Sequence, residues 1–359
     1  MSSRGPNAIL SRREVLAPLS GVPRLLKASV AIVIAGYLML ATAQADEPIT
    51  LRFAIPGASP QSSTYTTVFQ PWMTKVEADS AGQLKLQPFF TIANFGNVYE
   101  RVVADAADVG YAVEGSIGGK FIRSSVVELP SDITSGKAAA GAFWKIYEDG
   151  LIASEYQEVR PLALFVFPQN ILNSWKPLAA LSDLKGLRVA TLSGGAAKIA
   201  ERLGAAPIST SPPNLFEMMQ HRTADAVIIG WLGLSVFHLG ELVHNHLALG
   251  MDSGGGLVMI NKEAYAKLPP EAKTALDRNS GLAASLMMGA AIEQTDADAQ
   301  KTLRALGKQN FVAPSAEDQA RYKHDVADAL AREWAERTPN GAAVLAAYRD
   351  EAARLQKLR

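Results

Sequence analysis

The chain has 359 residues, of which 48% are hydrophobic, and its 35 basic side chains balance its 35 acidic side chains. This composition is typical of a globular protein large enough for two domains, and the lack of a basic excess argues against a nucleic-acid partner. Since the sequence contains no cysteine, it excludes disulfides, thiolate metal sites and cysteine nucleophiles.

Residues 1–45 have the pattern of an export signal. A basic stretch is followed by the apolar run Ala28–Leu40 and then by small residues at Ala43 and Ala45. We therefore predict a signal peptide that is cleaved between Ala45 and Asp46, which places the mature protein in the periplasm. An uncleaved membrane anchor is the alternative, although the apolar run is short for a membrane span.

The segment Ser11–Leu16, SRREVL, resembles the twin-arginine export pattern. About a dozen residues separate it from the apolar run, which is a long spacing for that route. The sequence therefore favours the general secretory (Sec) route over twin-arginine export.

The first part of the mature chain alternates between strand and helix patterns. Pro48–Gly57 alternates as a strand, Thr67–Gly82 has helical spacing with Gly82 at its end, and Gln83–Phe90 alternates again. A second helix pattern ends at Val103 and is followed by the short strand Asp108–Val113. Strand, helix and parallel strand in this order build an α/β layer.

A second α/β series begins near Pro161–Ser174. It continues through LRVATLSG, residues 187–194, and then through Ala224–Leu234 and Gly254–Tyr265. The two series predict two α/β lobes.

Helical patterns dominate the last part of the chain. Residues 268–307 carry apolar positions near helical spacing, which predicts a long helix or a kinked pair that spans both lobes. Residues 315–338 are amphipathic and rich in alanine, which predicts a surface helix.

Three histidines lie close together in HLGELVHNH, at positions His238, His244 and His246. Their spacing differs from H-E-x-x-H, and only His244 and His246 can share one side of a strand. We therefore predict no metal site and no cofactor, with the histidines at the partly exposed end of a helix that runs into a sheet.

The order of these features resembles the substrate-binding proteins of tripartite ATP-independent periplasmic (TRAP) transporters, of the dicarboxylate-receptor type. The matching stretches, in chain order, are LRFAIPG, PWMTKVEADSAGQLKLQPF, YERVVADAADVGYAVEGSIGGKF, VVELP, LSDLKGLRV, HRTADAVIIGW with VFHLGELVHNH, and MINKEAYAKLPPEAKTAL. Together they extend over almost all of the mature chain.

The resemblance implies a two-lobed periplasmic binding protein fold of the class II kind, with crossing strands and a long helix across the hinge. We expect residues 46–168 plus about 258–295 to form the first lobe, and 169–257 plus about 296–359 to form the second. It also implies a receptor without catalysis, a monomer that encloses an organic acid or polar metabolite and delivers it to TRAP membrane subunits.

The residue that selects acids in this family is absent here. In the family, the strand after D-L-K-G-L carries an arginine three residues past the leucine, which pairs with the ligand carboxylate. That position is Ala190 in this sequence, and an arginine that some members use upstream would fall near Asn170.

Arg188 lies two residues before Ala190, on the same face of the predicted strand. Two interpretations remain: Arg188 reaches the cleft as a substitute cation, or it is a solvated residue at the strand edge. We prefer the second, with a neutral, polar or weakly acidic ligand held by Asn170, Trp231 and backbone N–H groups.

Two further candidates follow strands of the second lobe. Ser193 opens the loop Ser193–Ala197, where the free N–H groups of a helix start attract an anion, although its glycines also suit close packing. Trp231 lies where family members contact the ligand, and its ring suits stacking as well as core packing.

In the first lobe, Tyr111 and Glu114 lie near positions at which relatives contact ligand. Glu114 would favour an amine or hydroxyl groups over a second carboxylate. Asp252, in GMDSGGG, is predicted to be a turn residue.

Other classes of exported protein remain open. A binding protein for an ATP-driven transporter or for a sensor kinase shares the two-lobed architecture. An exported hydrolase is a further alternative, but the sequence contains no G-x-S-x-G motif and no histidine identifiable as a partner of Ser193.

Overall fold

The computed structural model of the protein describes residues 47–358. The predicted signal peptide, its cleavage site and the twin-arginine-like segment therefore lie outside the described residues. Within residues 47–358, no helix has both the length and the apolar character needed to cross a membrane.

Strands in the described chain form two separate sheets. In chain order they are β1 (Ile49–Ala54), β2 (Leu84–Phe89), β3 (Val109–Val113), β4 (Val159–Val166), β5 (Ile171–Ser174), β6 (Arg188–Thr191), β7 (Ala206–Ser209), β8 (Ala226–Ile229), β9 (Asn245–Leu247), β10 (Gly255–Asn261) and β11 (Asn310–Val312).

Helices cover both sheets. In chain order they are α1 (Gln70–Asp79), α2 (Val98–Val103), α3 (Gly136–Glu148), α4 (Gly194–Arg202), α5 (Pro212–Gln220), α6 (Trp231–Val236), α7 (Lys262–Lys267), α8 (Pro270–Arg278), α9 (Gly281–Ala305), α10 (Ala316–Tyr322), α11 (Asp328–Arg337) and α12 (Gly341–Gln356). A further helical segment, Thr64–Phe69, runs into α1, and another, Lys323–Ala327, joins α10 to α11.

The first lobe is built on a sheet with strand order β2-β1-β3-β10-β4. Strand β1 pairs in parallel with β2 and β3, as the strand and helix pattern predicted. Phe53 on β1 is fully buried against Trp72 of α1, with ring centroids 5.8 Å apart. Burial of one such ring contributes about 1.5–3 kcal/mol, which fixes α1 on the sheet.

The second lobe is built on a sheet with strand order β11-β9-β5-β8-β6-β7. Strand β6 runs parallel to β7 and β8, whereas β5 is antiparallel to β8 and β9. Ala190 lies inside β6 opposite Val227 of β8, and it is fully buried. Its methyl group belongs to an apolar cluster that also contains Leu215 and Trp231.

Two chain segments cross between the lobes side by side. One joins β4 to β5 and the other joins β9 to β10. Phe167 N–H donates to Gly254 C=O at 2.9 Å, Asn170 N–H donates to Asp252 C=O at 2.6 Å, and Met251 N–H donates to Asn170 C=O at 2.8 Å. The antiparallel pair joins the two sheets, at the place where the resemblance implies a hinge.

The structure moves one expected boundary, because β10 lies wholly in the first sheet from Gly255 onward. The sequence had placed this crossing near residue 258. Gly256 pairs with Phe165 of β4, and a Cβ atom at Gly256 would lie 2.4 Å from the Phe165 ring. A glycine is therefore needed where this ring crosses the strand.

The end of the chain also departs from the expected division. Residues 296–359 were assigned to the second lobe, and Tyr322 of α10 packs there. However, α12 buries Val344 and Tyr348 in the cluster of Phe143 on α3, in the first lobe. The chain returns to the first lobe in α11, because the apolar face of α12 finds its partners on α3.

Residues 268–307 form the kinked pair α8 and α9, broken at Asn279 and Ser280. Helix α9 packs on α3 and β4 of the first lobe and on α6 of the second. Its contact with α3 is close, since a Cβ atom at Gly289 would lie 2.4 Å from Gly136 C=O. The spanning helix is thus held by backbone contact.

We expect Gly289→Ala to lower the free energy of unfolding by about 1–3 kcal/mol, because the added methyl group meets a backbone carbonyl that cannot move aside. This cost exceeds the gain of about 1 kcal/mol that alanine brings to a helix interior. Urea denaturation measures the difference. Gly118→Ala is the matched control, since a Cβ atom there meets nothing within 4 Å. Equal stability of both variants would contradict this packing.

Candidate functional site

A cavity of about 180 Å³ lies between the two lobes, beside the hinge. Its walls come from the first lobe, from both crossing segments, from the second lobe and from α9. Pockets for drug-sized ligands measure about 300–1,000 Å³, so this cavity suits a compact molecule.

The side chain of Asp252 organises the polar part of the cavity. Asn170 Nδ2 donates to Asp252 Oδ1 at 2.9 Å, and Ser193 Oγ donates to Asp252 Oδ2 at 2.8 Å. Burial raises the pKa of Asp252 to about 6, although both hydrogen bonds favour the ionised form. Asp252 is therefore a central residue of the cavity, not merely the turn residue that the sequence suggested.

Ser193 also begins helix α4. Its Oγ accepts the Ala196 N–H at 2.9 Å, which caps the helix, while its hydroxyl proton goes to Asp252. The structure thus brings together two residues that the sequence singled out, Asn170 and Ser193.

The wall of the first lobe is aromatic. The Tyr111 ring lies 6.2 Å from the Phe95 ring, edge to face, and stacks 6.2 Å from Phe165. Tyr111, which the sequence analysis singled out, is 3% exposed and lines the cavity. Its hydroxyl has no hydrogen-bond partner among residues 47–358, and burial raises its pKa.

Two acidic side chains that the sequence analysis missed also line the cavity, Glu128 and Asp296. Glu128 ends the helical turn Ser124–Glu128, and Asp296 lies on α9. Glu128 stands in the apolar stretch VVELP, and this contrast is a signal for it in the sequence, whereas the polar stretch AAIEQTDADAQ does not single out Asp296.

Asp296 connects α9 to the second lobe. Its Oδ1 accepts the Leu232 N–H at 2.7 Å, at the start of α6. A Cβ atom at Gly230 would lie 3.4 Å from both Asp296 Oδ1 and Asn170 Oδ1, so the two side chains converge at this glycine. Burial raises the pKa of Asp296 to about 6.

Glu128 lies on the opposite side of the cavity. The Ser253 N–H donates to the Glu128 C=O at 3.3 Å, which holds the turn against the second crossing segment. Burial, and then the charge of Asp252, raises the pKa of Glu128 to about 8. Within the described chain, no side chain or backbone N–H donates to its carboxylate.

Glu114 does not line the cavity, contrary to the sequence-based expectation. It lies behind the first-lobe wall, 3% exposed, and Tyr156 donates to its Oε1 at 2.7 Å. Its Oε2 has no partner in residues 47–358, and burial raises its pKa well above the usual range. The first turn after β3 carries this side chain into the core and leaves Gly115 at the cavity.

Arg188 lies at the other end of β6 from the cavity. Its guanidinium forms two hydrogen bonds of 3.0 Å with Asp225, and it also donates to Arg222 C=O. This pairing lowers the pKa of Asp225. Since β6 reaches the cavity through Leu192 and Ser193, Arg188 is the solvated strand-edge residue of the two interpretations.

Trp231 is a core residue and does not line the cavity, although Gly230 and Leu232 beside it do. Its ring packs 5.1 Å from His246 and 5.4 Å from Phe311. The start of α6 turns the indole away from the cleft. The expected stacking of a ligand on Trp231 is therefore not possible in this arrangement.

His246 is buried, in contrast to the expected partly exposed position. Its ring nitrogens lie 2.7 Å from Asn173 Oδ1 and 2.8 Å from Gln309 Oε1, which gives it a structural role. Among residues 47–358, no group of three or more His, Cys, Asp or Glu side chains is arranged to hold a metal ion.

The model of one protein family, described as bacterial extracellular solute-binding protein, family 7, matches residues 56–337. The chain is similar to a TRAP solute-binding protein of Rhodoferax ferrireducens in complex with copurified benzoate, at 25% identity and a TM-score of 0.80, over 86% of this chain and 99% of that one.

Two further solved structures are similar in fold. A marine metagenome TRAP protein specific for aromatic acid ligands, in complex with 3-hydroxybenzoate, is 23% identical with a TM-score of 0.80, over 86% of this chain and 99% of that one. A Bordetella bronchiseptica protein with bound mandelate is 24% identical with a TM-score of 0.78, over 86% and 100% of the two chains.

We expect Glu128→Gln to change how stability depends on pH. The folded protein keeps the Glu128 proton up to about pH 8, whereas an unfolded glutamate loses it near about pH 4.3, so stability falls as the pH rises between these values. Glutamine removes this loss. The variant should gain on the order of 1 kcal/mol at pH 8 and little at pH 5, measured by urea denaturation.

Glu217→Gln is the control for this measurement, because Glu217 is exposed on α5. Its pH profile should follow that of the wild type. Identical profiles for Glu128→Gln and the wild type would contradict a buried, proton-holding Glu128.

Proposed function

The chain belongs to the bacterial extracellular solute-binding proteins of family 7, and we propose that it is the receptor of a TRAP transporter that captures a small organic ligand between its lobes. The family consists of solute-binding proteins, so the chain is a solute receptor and not an enzyme. The similar solved structures are also solute-binding proteins.

One observation carries the proposal: the cavity is lined by both lobes, and its polar centre lies on the crossing segments. Asn170 and Asp252 come from the two crossing segments, and Ser193 comes from the second lobe. A ligand bound there contacts both lobes and stabilises the closed arrangement, since closure completes its contacts.

The aromatic wall indicates the size and shape of the ligand. Phe95 and Tyr111 meet edge to face and form an apolar wall, which suits a ring or short chain. The similar structures hold benzoate, 3-hydroxybenzoate and mandelate, which are compounds with one ring. This supports a single-ring-sized ligand for this cavity.

The membrane subunits of a TRAP transporter are the proposed partners, and the closed form is what they recognise. The proposal also includes Sec export to the periplasm and a monomeric receptor. Fractionation of the native host tests the first, and size-exclusion chromatography with light scattering tests the second.

The cavity itself is tested by filling it. We expect compounds from a metabolite screen to raise the unfolding temperature of the wild type, because a ligand that binds only the folded state stabilises it. Gly230→Leu should abolish this rise, since a side chain at Gly230 projects between Asn170 and Asp296.

Gly118→Leu is the control for that test, because the side chain at Gly118 has open space. It should retain the full response to the same compounds. A rise in unfolding temperature that survives Gly230→Leu would place the ligand elsewhere.

The role of the hinge side chains is tested separately with a compound from the screen. Asn170→Ala should weaken its binding by about tenfold, because Asp252 loses a donor and the ligand loses an amide partner. Arg188→Ala should leave the affinity unchanged, since its guanidinium pairs with Asp225 outside the cavity. Calorimetry measures both, and a large loss on Arg188→Ala would contradict this assignment.

A further inference from the structure

The charged side chains of the cavity all have the same sign. Glu128, Asp252 and Asp296 line it, and we call them the acidic lining. In the part of the chain that the structure describes, no lysine, arginine or histidine lines the cavity. Burial raises the pKa of each of these three groups, and the charge of Asp252 adds to this effect at Glu128.

The acidic lining comes from three separate parts of the fold. Glu128 belongs to a first-lobe turn, Asp252 to a crossing segment and Asp296 to the spanning helix α9. The donors that Asp252 and Asp296 receive are neutral, an amide, a hydroxyl and backbone N–H groups. Asp252 and Asp296 are the ionised acids at neutral pH, and no protein cation among the described lining residues compensates their charge.

Two polar groups at the cavity are unpartnered. The Tyr111 hydroxyl, on a side chain only 3% exposed, makes no hydrogen bond within residues 47–358. The Glu128 carboxylate accepts none from the same part of the chain. Both groups face the cavity, so a ligand bound there can supply their hydrogen-bond partners.

A carboxylate ligand is poorly matched to this arrangement. It would lose its hydration in the cavity and would face the acidic lining without a counter-charge, and both effects oppose binding. A protonated amine has three donors, and its charge has the opposite sign to that of the lining. Aromatic faces beside the acids, Phe95 and Tyr111, also attract cations.

We propose that this cavity selects a compact organic cation, a ring or short apolar body that bears one protonated amine, rather than a carboxylate. The inference rests on the proposed receptor function and names the ligand class of the same site. The proposed ligand has the size of the aromatic acids in the similar structures, but it carries a positive charge where they carry a negative one.

Matched pairs of small compounds test the charge. Benzylamine, 2-phenylethylamine and tyramine are compared by calorimetry with benzoate, phenylacetate and 4-hydroxyphenylacetate, and benzyl alcohol serves as the neutral reference. We expect at least one amine to bind about tenfold more tightly than its acid counterpart and than benzyl alcohol.

Proton release gives an independent readout at pH 7. The titratable groups that face the ligand are Glu128, Asp252, Asp296 and Tyr111, with Glu114 behind the wall. A bound cation stabilises the ionised acids, so protons held in the empty cavity should be released. The calorimetric heat of amine binding should then differ between phosphate and MOPS, which have different heats of ionisation and are not simple organic cations.

Glu128→Gln should weaken amine binding by about tenfold, reduce the proton release and leave acid binding equal or improved. Glu217→Gln is the surface control and should behave as the wild type. Circular dichroism of both variants verifies that they are folded.

The outcomes separate this inference from the receptor function. If no amine binds more tightly than its acid counterpart, the charge inference is overturned, and a carboxylate that binds in the cavity leaves the receptor function standing. If no compound of the metabolite screen stabilises the wild type, the receptor function fails as well.

Discussion

The antiparallel pairing of the two crossing segments is the constraint on which the rest of the site depends. It places the Asn170 and Asp252 backbones 2.6 Å apart, N to O, and so brings their side chains together between the lobes. Ser193, at the start of α4, donates a hydrogen bond to the same Asp252 carboxylate. The crossing segments and the polar centre of the cavity are therefore one structure, so under the proposed function a ligand at Asp252 would contact the segments that join the lobes.

The acidic side chains of the cavity have no basic partner from the second lobe. The resemblance to the receptor family predicts an arginine at position 190, but the alanine there is fully buried in an apolar cluster with Leu215 and Trp231. Apolar packing thus occupies the place of a cation. Arg188 is paired to Asp225 at the far end of β6, and no basic side chain among the described lining residues compensates the acids of the cavity.

Helix α9 connects stability to ligand contact. Its close approach to α3 through Gly289 ties it to the first lobe, while Asp296 accepts a backbone N–H of α6 in the second. One end of this connection is a close steric contact and the other is a hydrogen bond, so α9 contacts both lobes. Asp296 therefore lines the cavity and also belongs to the helix that contacts both lobes.

The sequence by itself determined the two α/β lobes, the paired helices after Tyr265 and the receptor family, because strand alternation, helical spacing and motif order are local properties of the chain. It also identified Tyr111, Asn170 and Ser193 at the cavity. Only the tertiary structure showed that Trp231 turns into the core, that α12 returns to the first lobe, and that Glu128, Asp252 and Asp296 converge. The direction of the Trp231 side chain depends on how the chain turns at the start of α6. The other two outcomes depend on how segments distant in sequence pack together, which no local pattern encodes.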